Sequence, residues 1–377
     1  MFFTKTYKFC LRSNAKKEIL FSQFAGASRW IFNRGLDQRS TFWEKEKRSI
    51  SLFEQNNELV LLKNQEPTCW LKEIHSQVLQ QALEDLNKAF SRFFRRVKNK
   101  ETPGYPHFRC KGENDSFRYP QGVKVQGNRV WLPKIGWVKF RKSREIEGKI
   151  KQTTIIKKGN RWYVCFSCEI EKEIVQTKEK SVIGIDVGLE HFATIASAEG
   201  MQEIENPRFF QKYLSKITYL SRKLSKKKTK GKNRLKAKLE LSVGHVKIRN
   251  RRQDKLHKLS TQLVKSHDII VVESLKVKEL LMSAPKQLAR AISDAGWRDF
   301  LQMLKYKCAE MGKKLIEMGQ YFPSTKQCYN CKKRNEIPLS TREYQCECGY
   351  KIHRDHNAAL NLRAAGTSVL KLVELPQ

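Results

Sequence analysis

Two short apolar runs, Val182–Ile185 in SVIGIDVG and Ile269–Val272 in HDIIVVES, each give way to a carboxylate, Asp186 in the first and Glu273 in the second. Runs of this length with no water-facing polar position read as buried strands. A helical hairpin separates them, more helix follows, and a further strand at KKLIEMGQYF precedes a short helix at HRDHNAALNLRAAG, so residues from about 181 read as an α/β domain. An ionised carboxylate at the end of a buried strand is costly unless a cation or hydrogen-bond donors meet it. Asp355, next to Arg354 where the last of these helices starts, is a third acid in apolar company. Singly, each has an ordinary explanation: a strand-end turn, a paired carboxylate, or a helix cap. Together, spaced 273 − 186 = 87 and 355 − 273 = 82 residues apart, they could meet around one cation site. Phosphodiester hydrolysis uses such a cluster: two Mg²⁺ ions about 4 Å apart activate water and stabilise the leaving oxygen, and hard cations select carboxylate ligands. Gly184 and Gly188, on either side of Asp186, would let a nucleic-acid backbone approach the strand closely.

Of the ten cysteines, four fall close together as C-x-x-C (Cys328, Cys331), fourteen residues, then C-x-C-G (Cys346, Cys348, Gly349). Two close thiolate pairs match a tetrahedral structural zinc site, which would staple a loop too small for its own core. The second pair is one residue tighter than the usual knuckle, which keeps His353 as an alternative ligand. With four sulfurs there is no open position, so the zinc reads as structural. Cys165 and Cys168 share the C-x-x-C spacing but sit in the strand-like run RWYVCFSCEIE and read as core cysteines.

The charge balance restricts the partners. With 75 Lys+Arg against 38 Asp+Glu the formal charge is +37, which a nucleic-acid binder recovers by displacing counterions from phosphates. No run approaches the roughly 18 apolar residues of a membrane span, and the expected compartment is the cytoplasm or nucleoid. The first strand, within MFFTKTYKFC, is followed by a mostly helical stretch whose clearest member carries Val78, Leu79, Ala82, Leu83, Leu86, Phe90, Phe93 and Phe94 on one face, with Gln77 and Gln80 on the polar side. From about 117 to 180 the chain is β-rich, with Gly127-Asn128 and Gly159-Asn160 as hairpin turns. The first strand lacks local partners and is expected to join this sheet. Tyr105, Phe108, Phe117 and Tyr119, interleaved with Arg109, Lys111 and Arg118, could stack on bases or pack a junction. Residues 222–238 hold ten basic and no acidic side chains, among them Lys226, Lys227, Lys228 and Lys230, which suits phosphate contact.

GIDVG with Asp186, IVVES with Glu273, PSTKQCYNC…CECGY and RDHNAALNL with Asp355 resemble, in order and spacing, the split RuvC nuclease motifs and zinc knuckle of the TnpB family of transposon-encoded RNA-guided nucleases. SQVLQQALEDLNKAF and GYPHFRCKGENDSFRYP are similar to N-terminal segments of that family, so the resemblance covers nearly the whole chain. It implies a multidomain α+β protein: a wedge β-barrel (1–13 and 117–180) interrupted by a helical recognition domain (14–116), then a RuvC-like, RNase H-like α/β nuclease domain (181–322 and 353–377) with a zinc-binding insert (323–352). It further implies a guide RNA from the transposon end, one protein per RNA, and double-stranded target DNA cut beside a short motif. Asp186, Glu273 and Asp355 would bind two catalytic Mg²⁺ ions and the cysteines one Zn²⁺. Gln77 and Gln80 would face the target-adjacent DNA. Many relatives have an acid where His353 stands. A guided DNA binder without cleavage and a strand-transferring transposase are the competing readings; retention of all three acids disfavours the first, and the RuvC-type motif set disfavours the second.

Overall fold

The computed structural model describes residues 2–113, 115–173, 181–229, 231–319, 321–338 and 341–373; residues 174–180, at the expected boundary between sheet and nuclease domain, lie outside them. The chain divides into two units, 1–172 and 173–377, each considered by itself.

In the first unit, strand β1 (Phe2–Arg12) is followed by helices α1 (Ala15–Glu46), α2 (Leu52–Asn64) and α3 (Ser76–Lys98), then by β2 (Ser116–Tyr119), β3 (Lys124–Gln126), β4 (Arg129–Leu132), β5 (Gly136–Phe140), β6 (Lys149–Lys158) and β7 (Arg161–Glu171). The strands form one seven-stranded sheet in the order β2-β6-β7-β1-β5-β4-β3, all neighbours antiparallel. β1 lies at its centre, paired with β7 from Phe2↔Glu171 to Cys10↔Tyr163 and with β5 at Leu11↔Phe140. Among the described residues no ladder joins the edge strands β2 and β3. Both Gly-Asn pairs turn hairpins, with Gly127 and Gly159 at φ of 55° and 60°, the left-handed backbone that such two-residue turns need.

Alternation along β1 turns Tyr7, Phe9 and Leu11 inward, where they join Phe117, Tyr119, Trp162, Val164 and Phe166 of the sheet. Phe21, Phe24, Ala27 and Ile31 of α1 and Val78, Leu79, Ala82 and Leu83 of α3 belong to that same cluster, so sheet and helices share one core. Six residues of the expected α3 face are buried, and Phe93 is half-buried. Phe94 is not: it is 62% exposed and stacks on the outside of Phe90.

The second unit comprises β8 (Val182–Asp186), β9 (His191–Ala196), β10 (Met201–Glu205), α4 (Phe209–Lys212), α5 (Leu214–Ser225), α6 (Lys232–Ser266), β11 (Ile269–Glu273), α7 (Val277–Ser283), α8 (Lys286–Ala295), α9 (Trp297–Met311), β12 (Lys314–Met318), the hairpin β13 (Glu343–Gln345) and β14 (Lys351–His353), and α10 (Arg354–Val373). Its main sheet runs β10-β9-β8-β11-β12, antiparallel on the β9–β10 side and parallel from β8 through β11 to β12. The apolar runs are buried on both faces. Ile183, Ile185, Ile270 and Val272 point to Leu256, Leu259, Leu263 of α6 and Phe300, Leu304 of α9, whereas Ile269 and Val271 point to Leu362 of α10. No helix among the described residues is long and apolar enough to cross a membrane.

Candidate functional site

β8 and β11 pair in parallel from Val182↔Ile269 to Ile185↔Val272, and each runs one residue further, to Asp186 and to Glu273. The register of two neighbouring strands thus brings both carboxylates to the same end of the sheet. Asp355 comes from the first turn of α10, which lies across β8. The crossing is close because Gly184 has no side chain: a Cβ there would sit 2.2 Å from the Ala359 carbonyl oxygen and 2.4 Å from the Arg363 nitrogen. Gly184 therefore serves the helix and is closed to a nucleic-acid backbone, contrary to expectation. Gly188 is half-buried, and a Cβ there would sit 3.0 Å from His191 O and 3.8 Å from Asp355 Oδ2. Asp355 is second in its helix and 7% exposed, which is not the position of a cap.

The three acids are near enough for Asp186 to feel the charges of the other two. Burial, then the charges of Asp355 and Glu273, push the Asp186 carboxyl well above its usual range, while Arg354 and the Val187 backbone N–H pull it down. Glu273 is also raised, by burial, against a hydrogen bond from Ser324 Oγ to its Oε2 at 3.4 Å. Arg354 holds its Nε 3.6 Å from Asp355 Oδ1. Two carboxyls whose burial disfavours the ionised form, with a third acid close by, fit hard divalent cations, which supply the missing positive charge and accept carboxylate oxygen.

The cysteines meet as their spacing predicts. The four Sγ atoms lie within 4.8 Å of one another, with Cys331–Cys346 at 3.5 Å and Cys328–Cys348 at 3.7 Å. A tetrahedron with Zn–S bonds near 2.3 Å has edges of about 3.8 Å, so the set fits zinc. Tight turns arrange it: Lys332 N–H bonds Cys328 O, Gly349 N–H bonds Cys346 O, and the Cys348 backbone N–H lowers the Cys346 thiol to about 6. His353 does not belong to the cluster; its ring lies against His356, with centroids 5.4 Å apart. Cys165 and Cys168 are three apart on β7, which turns them to opposite faces, and burial raises both thiols.

Comparison with known proteins places these features in sequence space. A family model described as "Probable transposase" (OrfB of IS605) matches residues 165–284, holding Asp186 and Glu273; the Cas12f1-like TNB domain matches 297–362, holding the cysteines and Asp355. A "Helix-turn-helix domain" model matches 1–48, where the structure has one strand and one 32-residue helix. The chain is 34% identical over 389 residues to the "Putative RNA-guided DNA endonuclease InsQ" of Escherichia coli strain K12, covering 99% of this chain and 95% of that protein. It belongs to the TnpB family. A relative of this TnpB-family chain from Streptomyces pristinaespiralis, described as "Putative RNA-guided DNA endonuclease", is 33% identical over 96% of this chain and 89% of its own length. The fold resembles that of Cas12f1 in its complex with guide RNA and target DNA, at a TM-score of 0.59 and 13% identity over 96% of this chain and 99% of that one.

The remaining expected contacts of this TnpB-family chain fare unevenly. Gln80 is exposed and Gln77 half-buried on the polar side of α3, and Lys111, Lys226, Lys227 and Lys228 are exposed; Lys230 lies outside the described residues. Tyr119 is a correction: it is fully buried, its hydroxyl donates to Pro133 O at 2.9 Å, and no base can reach its ring. Phe117 is buried with it. Arg118 is engaged by Asp85, and Tyr105 is held by Ser40 at 2.9 Å with its ring edge-on to Phe90 and Phe93. Sequence reasoning did not single out Arg354, Ser324, Asn357 or Asn361 as functional. The two asparagines carried a usable signal, being four apart on one helix face next to Asp355.

Proposed function

We propose that this protein is an RNA-guided DNA endonuclease that hydrolyses phosphodiester bonds at Asp186, Glu273 and Asp355. The observation that carries the reading is the convergence of two strand-end acids and one helix-borne acid, with Asp186 feeling the charges of the other two beside the half-buried Arg354. The strand order, with its antiparallel side, parallel side and α10 laid across β8, is the arrangement an RNase H-like nuclease requires. Asp186, Glu273 and Asp355 would hold two magnesium ions, which supply an activated water and a stabilised leaving oxygen when bound. The chain's own contribution is positional. Parallel pairing fixes the first two carboxylates relative to each other, Gly184 sets how near the third can come, and Arg354 offsets part of their mutual repulsion.

The rest of the architecture follows this reading. Residues 1–13 and 117–180 act as the wedge barrel, 14–116 as the recognition helices, 181–322 with 353–377 as the RuvC domain, and 323–352 as an insert closed by one structural zinc. A guide RNA from the transposon end pairs with one DNA strand, so base pairing reads sequence while protein reads backbone and a short adjacent motif. Gln77 and Gln80 are assigned to that motif, and Lys111 and Lys226–Lys228 to phosphates. The names of the relatives support the guided activity, and their similarity extends over almost all of this chain. The test is Asp186→Ala: double-strand cleavage of a guide-matched target is lost while RNA and target binding persist. Cleavage equal to the parent's would remove the assignment.

A further inference from the structure

The cysteine segment reaches the carboxylates through a strip of buried polar contacts. Residues 324–329, which run through Cys328, lie outside the main sheet; turns and an isolated bridge at Gln327↔Arg334 pair part of their backbone, and the Ser324 and Gln327 carbonyls and the Tyr329 N–H take side-chain partners. Helix α10 provides them. Asn361 Nδ2 donates to Ser324 O at 2.9 Å and Gln327 O at 2.7 Å; Asn357 Nδ2 donates to Gln327 O at 2.7 Å, and its Oδ1 accepts from Tyr329 N–H at 3.0 Å. Tyr329 adjoins Cys328, so the strip is gripped by α10 along its length and fixed at the far end by the four sulfurs. At the near end Ser324, itself buried, points its hydroxyl at Glu273 Oε2. The same helix carries Asp355. Glu273 has one more side-chain torsion to fix than either aspartate, and Ser324 supplies the one side-chain hydrogen bond that reaches it among the described residues.

We propose that Ser324 is the positioning residue for Glu273 and that the metal-bound cysteine knuckle holds Ser324 in place, so that zinc occupancy and divalent-cation affinity at the carboxylates are coupled. This deepens the nuclease reading and rests on it. Hydroxyl partners that orient a metal-ligating carboxylate typically change metal affinity by about 10–100-fold when removed. Coupling of two binding sites is reciprocal, so cations bound at the carboxylates also retard loss of zinc.

The test uses the full chain loaded with zinc, with Mn²⁺ as the probe and its binding read by electron paramagnetic resonance without DNA or RNA. Ser324→Ala is expected to weaken Mn²⁺ binding about 10–100-fold while zinc stays at one per chain and the melting temperature is little changed. Stripping zinc from the parent should weaken Mn²⁺ binding by a similar factor, yet add little in Ser324→Ala, because both act on the same hydrogen bond. Parent-like Mn²⁺ affinity in Ser324→Ala overturns the proposal, as does an equal effect of zinc removal in both proteins. Asp186→Asn separates the two failures: if it leaves Mn²⁺ affinity unchanged, the carboxylate site and the nuclease reading fall together. If it weakens binding and Ser324→Ala does not, only the role of Ser324 falls.

Discussion

Gly184→Ala tests whether the distance between α10 and β8 sets the spacing of the acids. The added methyl meets backbone and nothing that can rotate away: Ala359 O at 2.2 Å, Arg363 N at 2.4 Å and Arg363 Cα at 3.0 Å. Ordinary contact begins near 3.4 Å, so the helix must lift by 3.4 − 2.2 = 1.2 Å at this point. Overpacking of this kind costs about 1–3 kcal/mol, tolerable against the roughly 5–15 kcal/mol of a typical domain, so the protein folds. For a unit of this size the melting temperature should fall by about 2–12 °C. Ala359 stands one turn after Asp355, so the displacement passes to the ligand, and a misplacement of about 1 Å in a catalytic group costs on the order of 100-fold in rate. Single-turnover cleavage by the RNA-loaded protein would therefore drop about 100-fold, with guide binding retained. Gly366→Ala is the comparison: its Cβ would meet the Val271 Cγ2 tip at 2.4 Å, a side chain that can turn, three helical turns beyond Asp355. It should lose less. If Gly184→Ala cleaves as fast as the parent, the close crossing does not govern the site.

Further expectations concern charge and metal. Asp186 has a raised carboxyl, so protonation stabilises the magnesium-free fold below the ordinary carboxylate range, and that contribution is lost as pH rises through the raised value. Asp186→Asn should hence melt higher than the parent at neutral pH in magnesium-free buffer, the gap closing as pH falls towards about 4; a lower melting point at neutral pH would refute this. Elemental analysis should find one zinc per chain, absent in Cys328→Ser together with protection of amides in residues 326–352 from hydrogen exchange; unchanged protection would mean the segment holds itself. Neutralising Lys226, Lys227 and Lys228 should flatten the salt dependence of nucleic-acid binding by roughly 0.7–0.9 in log–log slope for each phosphate left unneutralised. An unaltered slope would return these lysines to a solvated surface.

What the sequence made legible was periodic or fixed by ligand chemistry. The runs ending at Asp186 and Glu273 are strands buried on both faces, the two Gly-Asn turns sit in hairpins, β1 joins the distant sheet, and the four cysteines converge. The misreadings share a cause, since composition does not say which face a residue takes. Aromatic and basic residues interleave at 117–119, but strand alternation sends Phe117 and Tyr119 into the core and leaves Arg118 to Asp85. Gly184 signals close approach in either reading, and only the path of α10 shows that the approaching backbone is the protein's own. The bonds of Ser324, Asn357 and Asn361 join segments that neither spacing nor hydropathy links.

The central place of β1 in the seven-stranded sheet bears on synthesis. Its partner across nine pairs ends at Glu171, so β1 waits until some 160 further residues have been added. At about 5–20 residues per second that wait is roughly 8–30 s, during which the β1 edge that β7 will pair stays open, although α1, α3 and β5 of the same core are already made. The sheet can close only after β7 leaves the ribosome, which makes this interval the period when the nascent chain most needs a chaperone, and strand β7 the place where a slow codon or a premature stop does most harm to the first unit.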